Sequence, residues 1–330
     1  MSPNLLPIAI LIPIYNDWES LQQLLPALEA ELRATGHTAR VLLVDDGSSL
    51  EAGPELNTVV QQLVAIVRVE RLRLRCNLGH QRAIAVGLAH LHNHIPQLSA
   101  IVVMDGDGED RPSDVPVLLA EIERTAGAGI VFAARTRRME SVAFVVMYHS
   151  YRLLHLILTG VPVRVGNFSA IPVRWLSALL CSSDLWNHFA ACVLRSKIKC
   201  FMVPLPRGRR YAGRSQMRLT GLLLHGLSAM SVFGDFIGVR LLAFTAGLVL
   251  VAMALLAVVM TMKYVTNVAI PGWASAAGGI LVVVLLQAIL LLVVTVFLVL
   301  GNRSQTRVVP LRDAGLYVDF VEALGQRNGV

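Results

Sequence analysis

Hydrophobic residues in the first half of the chain fall into short continuous runs, and most of these runs lead into a polar turn. The runs predict strands at Ile8–Ile12, Arg40–Val44, Ile66–Val69, Ala100–Met104 and Gly129–Ala133. The unbroken run Ile8–Ile12 is typical of a strand that is buried on both faces of a sheet. Between the runs, apolar residues recur at helical spacing, as Leu21, Leu24, Leu25 and Leu28 do in the first interval. Strands that alternate with helices predict an α/β domain with a mostly parallel sheet.

The second half of the chain carries two long apolar stretches. No charged residue occurs from Leu241 to Met262 or from Ala274 to Leu300. A helix that spans a bilayer needs about 20 apolar residues, and both stretches are long enough. The segment between them, Lys263–Trp273, is short, so we expect a transmembrane helical hairpin. The overall hydrophobic content of 55% agrees with a membrane protein.

The formal net charge of +7 comes mainly from arginine, and the placement of the arginines predicts an orientation for the hairpin. They cluster on both sides of the apolar stretches, at Arg207, Arg209, Arg210, Arg214, Arg218 and Arg240 before them and at Arg303, Arg307 and Arg312 after them. Only Lys263 lies between the stretches. Because basic flanks stay on the cytoplasmic side, we expect a multi-pass protein of the plasma (inner) membrane whose N-terminal domain and C-terminus are cytoplasmic.

Three of the predicted strands end in acidic or polar turns, namely Pro13–Asp17, Asp45–Ser48 and Asp105–Asp110. In parallel sheets, ligands bind beyond the carboxyl ends of the strands, so we expect these turns to share one edge. No glycine-rich dinucleotide or P-loop motif is present. Asp105 and Asp107 are two residues apart and can share one hard cation such as Mg²⁺, and the glycines beside them leave room for a phosphate. An ordinary acidic turn between a strand and a helix is the alternative interpretation.

The segment Arg207–Ser215 is a glycine-broken basic loop. Arginine binds phosphate with two parallel hydrogen bonds, so the loop is a candidate phosphate site. Attraction to anionic lipid head groups is the alternative, and both interpretations can hold together. Apolar positions from Met217 to Phe233 predict an amphipathic helix that leads to the first apolar stretch. The segment Val142–Leu158 is either a helix at the membrane surface or a core helix.

The motifs in this order resemble those of glycosyltransferase family 2, which has the GT-A fold. PIYND resembles the family's PxYNE, VDDGS matches its VDDGS, NLGHQRAIAVGL resembles NxGkxxAlxxGl, and MDGDGED resembles its metal-binding MDaDlQd motif. With two apolar stretches after the domain, the chain is similar to the polyprenyl-phosphate glycosyltransferases, relatives of dolichol-phosphate mannose synthase. The predicted fold class is therefore α/β, with a GT-A (Rossmann-like, mostly parallel sheet) cytoplasmic domain followed by a two-helix transmembrane hairpin.

The resemblance implies a role for each matched residue. A nucleotide sugar, UDP- or GDP-linked, would be bound by Pro13, Tyr15, Asn16, Asp17, Asp45, Asp46, Gly79, Arg82 and Asp105. Mg²⁺ or Mn²⁺ would be held by Asp105 and Asp107, with Glu109 as a third ligand because it replaces the family's Gln. The acceptor phosphate would be bound by Arg135, Arg152, Arg207, Arg210, Arg214 and Ser215.

One substitution bears on the acceptor. Asn167 stands where most relatives carry the Asp of GDFR, and an amide cannot act as a general base. A phosphate monoester has a second pKa near ~6, so it is mostly ionised at neutral pH and attacks without a base. Asn167 is then expected to position the substrate, beside Asp105 and Asp107 as the catalytic residues.

These arguments predict a membrane glycosyltransferase that moves one sugar from a nucleotide sugar to undecaprenyl phosphate or a similar polyprenyl phosphate, with inversion at the sugar. The domains are predicted at 1–206 (GT-A), 207–240 (basic loop and juxtamembrane helix), 241–303 (transmembrane helices) and 304–330 (cytoplasmic tail). Expected partners are the bilayer and further copies of the chain, with a tetramer as a guess, and no nucleic acid. One alternative is transfer to a glycan or glycolipid hydroxyl with Asp110 as the base. Another is an inactive scaffold that binds lipid.

Overall fold

The computed structural model describes residues 7–95, 97–135, 152–161, 166–212, 226–265, 272–304 and 306–325. These residues form two compact units. The first is built on the sheet and comprises residues from 1–148, 163–232 and 307–330, and the second is built on the apolar helices and comprises residues from 149–162 and 233–306.

The first unit contains an eight-stranded sheet with the order β7-β5-β6-β4-β1-β2-β3-β8. The strands are β1 (Ile8–Ile14), β2 (Ala39–Asp45), β3 (Ile66–Leu74), β4 (Ala100–Val103), β5 (Ile130–Arg135), β6 (Ser169–Pro172), β7 (Cys200–Leu205) and β8 (Val318–Ala323). Strands β1 to β4 pair in parallel, as do β5 and β7, whereas β6 and β8 run antiparallel to their neighbours. This mostly parallel sheet confirms the predicted GT-A fold class.

Helices cover both faces of the sheet because its central strands are apolar on both sides. The helices of this unit are α1 (Trp18–Thr35), α2 (Pro54–Gln61), α3 (His80–His94), α4 (Val115–Arg124), α6 (Leu176–Leu180), α7 (Phe189–Arg195), α8 (226–231) and α11 (Pro310–Asp313). Leucines of α1, α2 and α4 contribute to the core on one face. Residues of α3, α6 and α7 contribute to the core on the other. Every residue of β1 is buried, as its unbroken apolar run predicts.

The second unit consists of α5 (152–159), α9 (Gly234–Tyr264) and α10 (Trp273–Ser304). Helices α9 and α10 are long and apolar enough to cross a membrane, and 17% and 11% of their most apolar windows are buried. This low burial distinguishes them from core helices of a soluble protein and indicates a membrane protein. The two helices pack against each other, and a side chain at Gly238 would lie 2.5 Å from Val299, so glycine permits the close contact there.

The helix α5 also exposes apolar side chains, since Leu153, Leu156 and Ile157 are 59%, 45% and 60% accessible. That exposure is unlike a core helix, so for this part of the segment Val142–Leu158 the core alternative is wrong. Arg240 donates to the backbone carbonyl of Ile157 at 2.5 Å, near the end of α5. Residues 142–151 of that predicted helix and residues 217–225 of the other lie outside the described residues.

The segment after α10 returns to the first unit. Strand β8 pairs antiparallel with β3, from Glu70 opposite Ala323 to Leu74 opposite Val318. Just before it, the ring of Tyr317 lies 4.7 Å from that of Trp186, and its carbonyl accepts the N–H of Arg75 at 3.0 Å. The residues predicted as a separate tail therefore complete one edge of the sheet.

Candidate active site

The turns after β1 and β2 are joined by a continuous set of hydrogen bonds. The backbone N–H of Asn16 donates to Oγ of Ser48 at 3.0 Å, and its side-chain oxygen accepts the N–H of Leu50 at 2.9 Å. Asn16 holds a left-handed backbone with φ of 59°, a conformation that asparagine tolerates better than most residues. Oδ1 of Asp45 accepts the N–H of Ser48 at 2.8 Å. The two turns thus form one rigid frame.

Asp46 extends this frame to the loop that precedes α3. Its two oxygens accept the N–H groups of Leu78 at 2.7 Å and Gly79 at 2.9 Å. Gly47 lies so close to this loop that a Cβ there would be 2.9 Å from the backbone nitrogen of Asn77. Burial raises the pKa of Asp46, although the two backbone donors oppose the shift. Asp46 is therefore a structural brace between two predicted nucleotide motifs.

The acidic turn after β4 and the basic loop after β7 are in direct contact. Arg210 lies 2.5 Å from Oδ2 of Asp107, and Arg207 pairs with Glu109. The backbones are joined as well, because Gly208 N–H donates to Glu109 at 2.8 Å and Tyr211 N–H donates to Asp107 at 2.9 Å. Two ion pairs and two backbone hydrogen bonds thus place the arginines on the predicted metal motif.

The glycines of the acidic turn accommodate protein groups. Gly108 has φ of +87°, and the ring of Tyr211 fills the space where its Cβ would point. At Gly106, a Cβ would lie 3.1 Å from Ile12. The space predicted for a phosphate beside Gly108 is therefore occupied by Tyr211, because the basic loop folds over this turn.

Asp17 brings the first turn close to the same region. Burial raises the pKa of Asp17, while the nearby positive charge of Arg210 lowers it and the carboxylate of Asp107 raises it. The neighbouring Tyr15 is 44% exposed, and Pro13 is buried in β1, where it pairs with Val44 of β2. Asp17 therefore lies within electrostatic range of Asp107 in the acidic turn and of Arg210 in the basic loop.

His80 connects the acidic turn to Asn167. Its Nε2 lies 3.2 Å from Oδ1 of Asp105 and 3.0 Å from Nδ2 of Asn167. Gln81 donates to Oδ1 of Asn167 at 3.1 Å and accepts the N–H of Phe189 at 2.7 Å, which fixes the amide. Burial alone would lower the pKa of His80, but the carboxylates of Asp105, Asp110 and Asp46 together outweigh it, and the pKa is raised.

The acidic turn is also braced from within. The carboxylate of Asp110 accepts the backbone N–H of Asp105 at 2.9 Å. Asp110 is 2% exposed, so it stabilises the turn and is poorly accessible to a substrate. Oδ1 of Asp107 similarly accepts the N–H of Glu109 at 2.9 Å, which leaves Oδ2 towards Arg210.

The donor set of the acidic turn suits a hard divalent cation, because carboxylate oxygens are the ligands such ions prefer. Among the described residues, no group of three or more His, Cys, Asp or Glu side chains is arranged to hold a metal ion. Two carboxylates with substrate phosphates are sufficient for Mg²⁺, so Asp105 and Asp107 fit the role. Glu109 as a third ligand stays a prediction.

Several predicted residues lie elsewhere or outside the description. Arg82 projects over the ring of Trp186, at 5.7 Å from its centroid. The backbone of Arg135 ends β5 opposite Leu205, and Arg152 lies on α5 in the other unit. Arg214 and Ser215 lie outside the described residues. Sequence reasoning missed His80, Gln81 and Tyr211, although the first two stand within the matched motif NLGHQR.

Comparisons with known proteins identify the family of this chain. The family model described as Glycosyl transferase family 2 matches residues 9–180. The undecaprenyl-phosphate 4-deoxy-4-formamido-L-arabinose transferase of Enterobacter sp. (strain 638) is 26% identical over 74% of this chain and 76% of its own length. The protein of the same name from Klebsiella pneumoniae is 25% identical over 77% and 78%.

Among solved structures, glucosyl-3-phosphoglycerate synthase from Mycobacterium tuberculosis, in complex with Mn²⁺, UDP and phosphoglyceric acid, is 15% identical. It matches with a TM-score of 0.49 over 71% of this chain and 79% of that one. Mannosyl-3-phosphoglycerate synthase from Rubrobacter xylanophilus matches with a TM-score of 0.48 at 14% identity, over 69% of this chain and 72% of that one.

Proposed function

This chain belongs to glycosyl transferase family 2 and is a glycosyltransferase, and from that premise we propose that it transfers one sugar from a nucleotide sugar to a polyprenyl phosphate. The observation that carries the proposal is the contact between the acidic turn and the basic loop, through Asp107 with Arg210 and Glu109 with Arg207. A diphosphate leaving group and an anionic acceptor both need cationic partners. The contact brings the arginines, which can bind phosphate, next to the carboxylates that would hold a divalent cation. The names of the relatives, undecaprenyl-phosphate transferases, support the same acceptor class.

The proposed reaction is a single displacement. An oxygen of the acceptor phosphate attacks the anomeric carbon, the bond from that carbon to the diphosphate breaks, and the configuration inverts. A divalent cation, Mg²⁺ or Mn²⁺, would neutralise charge on the leaving diphosphate, and Asp105 and Asp107 would hold it. Arg207 and Arg210 would bind phosphate oxygens, since guanidinium groups match them with two parallel hydrogen bonds.

The acceptor chemistry explains how the site works with an amide at residue 167. A phosphate monoester is mostly ionised at neutral pH, so its attack requires no proton acceptor. Asn167, held by Gln81 and close to His80, would orient the substrate. Transfer to a hydroxyl would need a base, and Asp110 is buried and bonded to the acidic turn. The geometry therefore favours the phosphate acceptor over the hydroxyl alternative.

The chain path supports the proposed membrane topology. Strand β3 precedes both apolar helices and β8 follows them, yet the two strands pair in one sheet. If α9 and α10 each cross the bilayer once, the chain returns to its starting side. The arginine-rich flanks support a cytoplasmic sheet and C-terminus through the positive-inside rule, as we propose for a multi-pass protein of the inner membrane.

The decisive experiment supplies the purified full-length protein with Mn²⁺, undecaprenyl phosphate and a panel of radiolabelled UDP- and GDP-sugars. We expect label to enter the lipid fraction with one of the sugars, as a phosphodiester that mild acid cleaves. Undecaprenol, which lacks the phosphate, is the matched acceptor control and should stay unlabelled. Label on undecaprenol, or on a glycan alone, would contradict the proposed acceptor.

The role of the basic loop is tested separately. Replacing Arg210 with Gln is expected to raise the KM for undecaprenyl phosphate about tenfold, since a charge-assisted hydrogen bond is lost. Arg124→Gln is the matched control, because Arg124 is an exposed arginine paired with Glu121 on α4. An equal effect of both substitutions on this KM would show that the basic loop does not bind the acceptor.

A further inference from the structure

Arg71 is a buried charge in the middle of β3. Only 6% of its side chain is exposed, although arginine is seldom buried unless it is paired. In the sheet it stands between Leu43 of β2 and Glu322 of β8. A strand position of this kind normally carries an apolar residue, so the cost of the buried charge calls for a function.

The guanidinium of Arg71 donates four hydrogen bonds to partners from three parts of the chain. Its Nε and Nη2 donate to Oδ2 of Asp45 at 3.0 and 2.6 Å. Its Nη1 donates to Glu51 at 3.1 Å and to Glu322 at 3.2 Å. The group also lies 4.9 Å from the ring centroid of Trp18 and 5.7 Å from that of Phe320, so aromatic rings provide further cation–π contacts.

These contacts reach both turns of the frame described above. Asp45 begins the second turn and accepts the N–H of Ser48 at 2.8 Å. Trp18 follows the first turn and donates from Nε1 to the carbonyl of Leu50 at 2.8 Å. One guanidinium therefore fixes the turn after β1 through Trp18 and the turn after β2 through Asp45.

The other side of Arg71 is closed by β8. Phe320 and Glu322 are two residues apart, so they lie on the same side of the strand. Phe320 is 39% exposed. Its ring contacts the guanidinium of Arg71 and is not part of the central core. Without β8, Arg71 would lose one ion pair and one aromatic contact, and the edge of β3 would be open.

We propose that Arg71 is a positioning residue for the nucleotide sugar, and that Phe320 and Glu322 of the C-terminal strand hold it in place. The strand β8 is then part of the donor site, although it follows both apolar helices in the chain. This inference rests on the proposed function, in which the turns at 13–17 and 45–48 bind the nucleotide. It adds that donor affinity depends on a segment that carries none of the family motifs.

The test uses full-length protein in detergent and three single substitutions on β8. Glu322→Gln and Phe320→Leu each remove one support of Arg71. Asp319→Asn is the matched control, because it neutralises an exposed carboxylate on the same strand. Binding of UDP and of GDP is measured with Mn²⁺ by calorimetry, and steady-state kinetics give separate KM values for nucleotide sugar and undecaprenyl phosphate.

We expect Glu322→Gln and Phe320→Leu to weaken nucleotide binding and raise the donor KM about fivefold, because the first removes the charge of one hydrogen-bond acceptor of Arg71 and the second removes one aromatic contact. The KM for undecaprenyl phosphate and kcat should stay within about twofold, and Asp319→Asn should match the wild type. Arg71→Lys should give a larger donor effect than either, because lysine keeps the charge but not the fork.

Other outcomes separate the possible failures. Wild-type protein that binds neither UDP nor GDP would end the proposed function itself. Wild-type binding with variants that bind equally well would overturn the inference alone. Donor and acceptor KM values that rise together, with a matching loss of thermal stability, would make Arg71 a general support of the fold and would also overturn it.

Discussion

The carboxylates after β2 and those after β4 are both acidic clusters at strand ends, but the structure treats them differently. Asp45 and Asp46 are 0% and 4% exposed, and they bond to backbone N–H groups and to the buried Arg71. Asp107 and Glu109 bond to Arg210 and Arg207 of a surface loop, whose side chains are 26% and 31% exposed, and Asp107 also accepts one backbone N–H. The first cluster is a fixed frame, and the second is held by partners that can be exchanged for substrate.

The largest effect is expected for the substitution Asp107→Asn, which changes the second cluster. We expect transfer activity to fall about a thousandfold, because one of two carboxylates proposed for the cation is lost and charge stabilisation at such a site has this magnitude. The melting temperature should change little, since the partner Arg210 can return to solvent. Activity is measured as label transferred to lipid, and melting by calorimetry. A stable variant with wild-type activity would exclude Asp107 from catalysis.

Removal of divalent cations acts on the same cluster without a substitution. A chelator is expected to reduce transfer by at least about a hundredfold, since metal charge stabilisation is worth several kcal/mol. Added Mn²⁺ or Mg²⁺ should restore the rate. Thermal unfolding should change little, because Asp107 and Glu109 are also paired with Arg210 and Arg207. Full activity in excess chelator would show that the acidic turn works without a metal.

The opposite result is expected for Asp45→Asn, which changes the fixed frame. Breaking a buried ion pair costs about 3–5 kcal/mol. The cost here should be near the lower value, because Glu51 and Glu322 still neutralise Arg71. We therefore expect the free energy of unfolding to fall by about 3 kcal/mol. Denaturant titration measures it. A loss of activity with unchanged stability would show that Asp45, like Asp107, acts in the reaction and not in the fold.

A smaller effect is expected for Gly108→Ala, which tests how the basic loop docks on the acidic turn. The positive φ and the nearby ring of Tyr211 make alanine unfavourable by about 1–3 kcal/mol. We expect the KM for undecaprenyl phosphate to rise, because the loop shifts, while UDP binding changes little. Gly36→Ala is a matched control, since it has a similar φ of 71° and nothing within 4 Å.

The smallest effect concerns another fixed carboxylate, Glu29 of α1. It accepts the N–H groups of Val64, Ala65 and Ile66 at 3.0, 2.9 and 2.8 Å. Burial raises its pKa, but these donors outweigh it, and the net pKa is lowered. Glu29→Gln should therefore destabilise the protein by about 1 kcal/mol at neutral pH, with kcat unchanged.

The sign of the pH dependence follows from that lowered pKa. The stabilisation by Glu29 is present above its ordinary pKa of 4.5 and disappears as the pH falls through the lower folded value. The difference between wild type and variant should hence shrink below about pH 4.5. A difference that grows with acid would contradict the proposed role of the three backbone donors.

Much of the sheet could be predicted from the sequence because its central strands are continuous apolar runs. The sequence predicts strands β1 to β5 near their observed positions, and it predicts the two apolar helices from their length and their lack of charged residues. In contrast, β6 and β7 are short or partly exposed, and β8 mixes charged and apolar residues and has four exposed positions. Their pairing depends on distant partners, which local patterns do not encode.

The site shows the same division. Residues inside family motifs, such as Asp46 and Asp107, could be named from the sequence. The pairing of Arg210 with Asp107 joins residues 103 positions apart, and Arg71 with Glu322 joins residues 251 apart. Arg71 stands in a strand rich in charge, where nothing in the local sequence separates it from the exposed Arg68. Its importance comes from burial, which only the fold determines.

The position of β8 has a consequence for biogenesis. A ribosome must synthesise both apolar helices before it can release the strand that finishes the sheet. A nascent chain that stops before residue 318 leaves β3 with a row of unpaired backbone groups, and such an edge is a template for aggregation. The sheet can therefore be completed only after the hairpin has been synthesised. A polypeptide that ends before β8 should be insoluble and not only inactive.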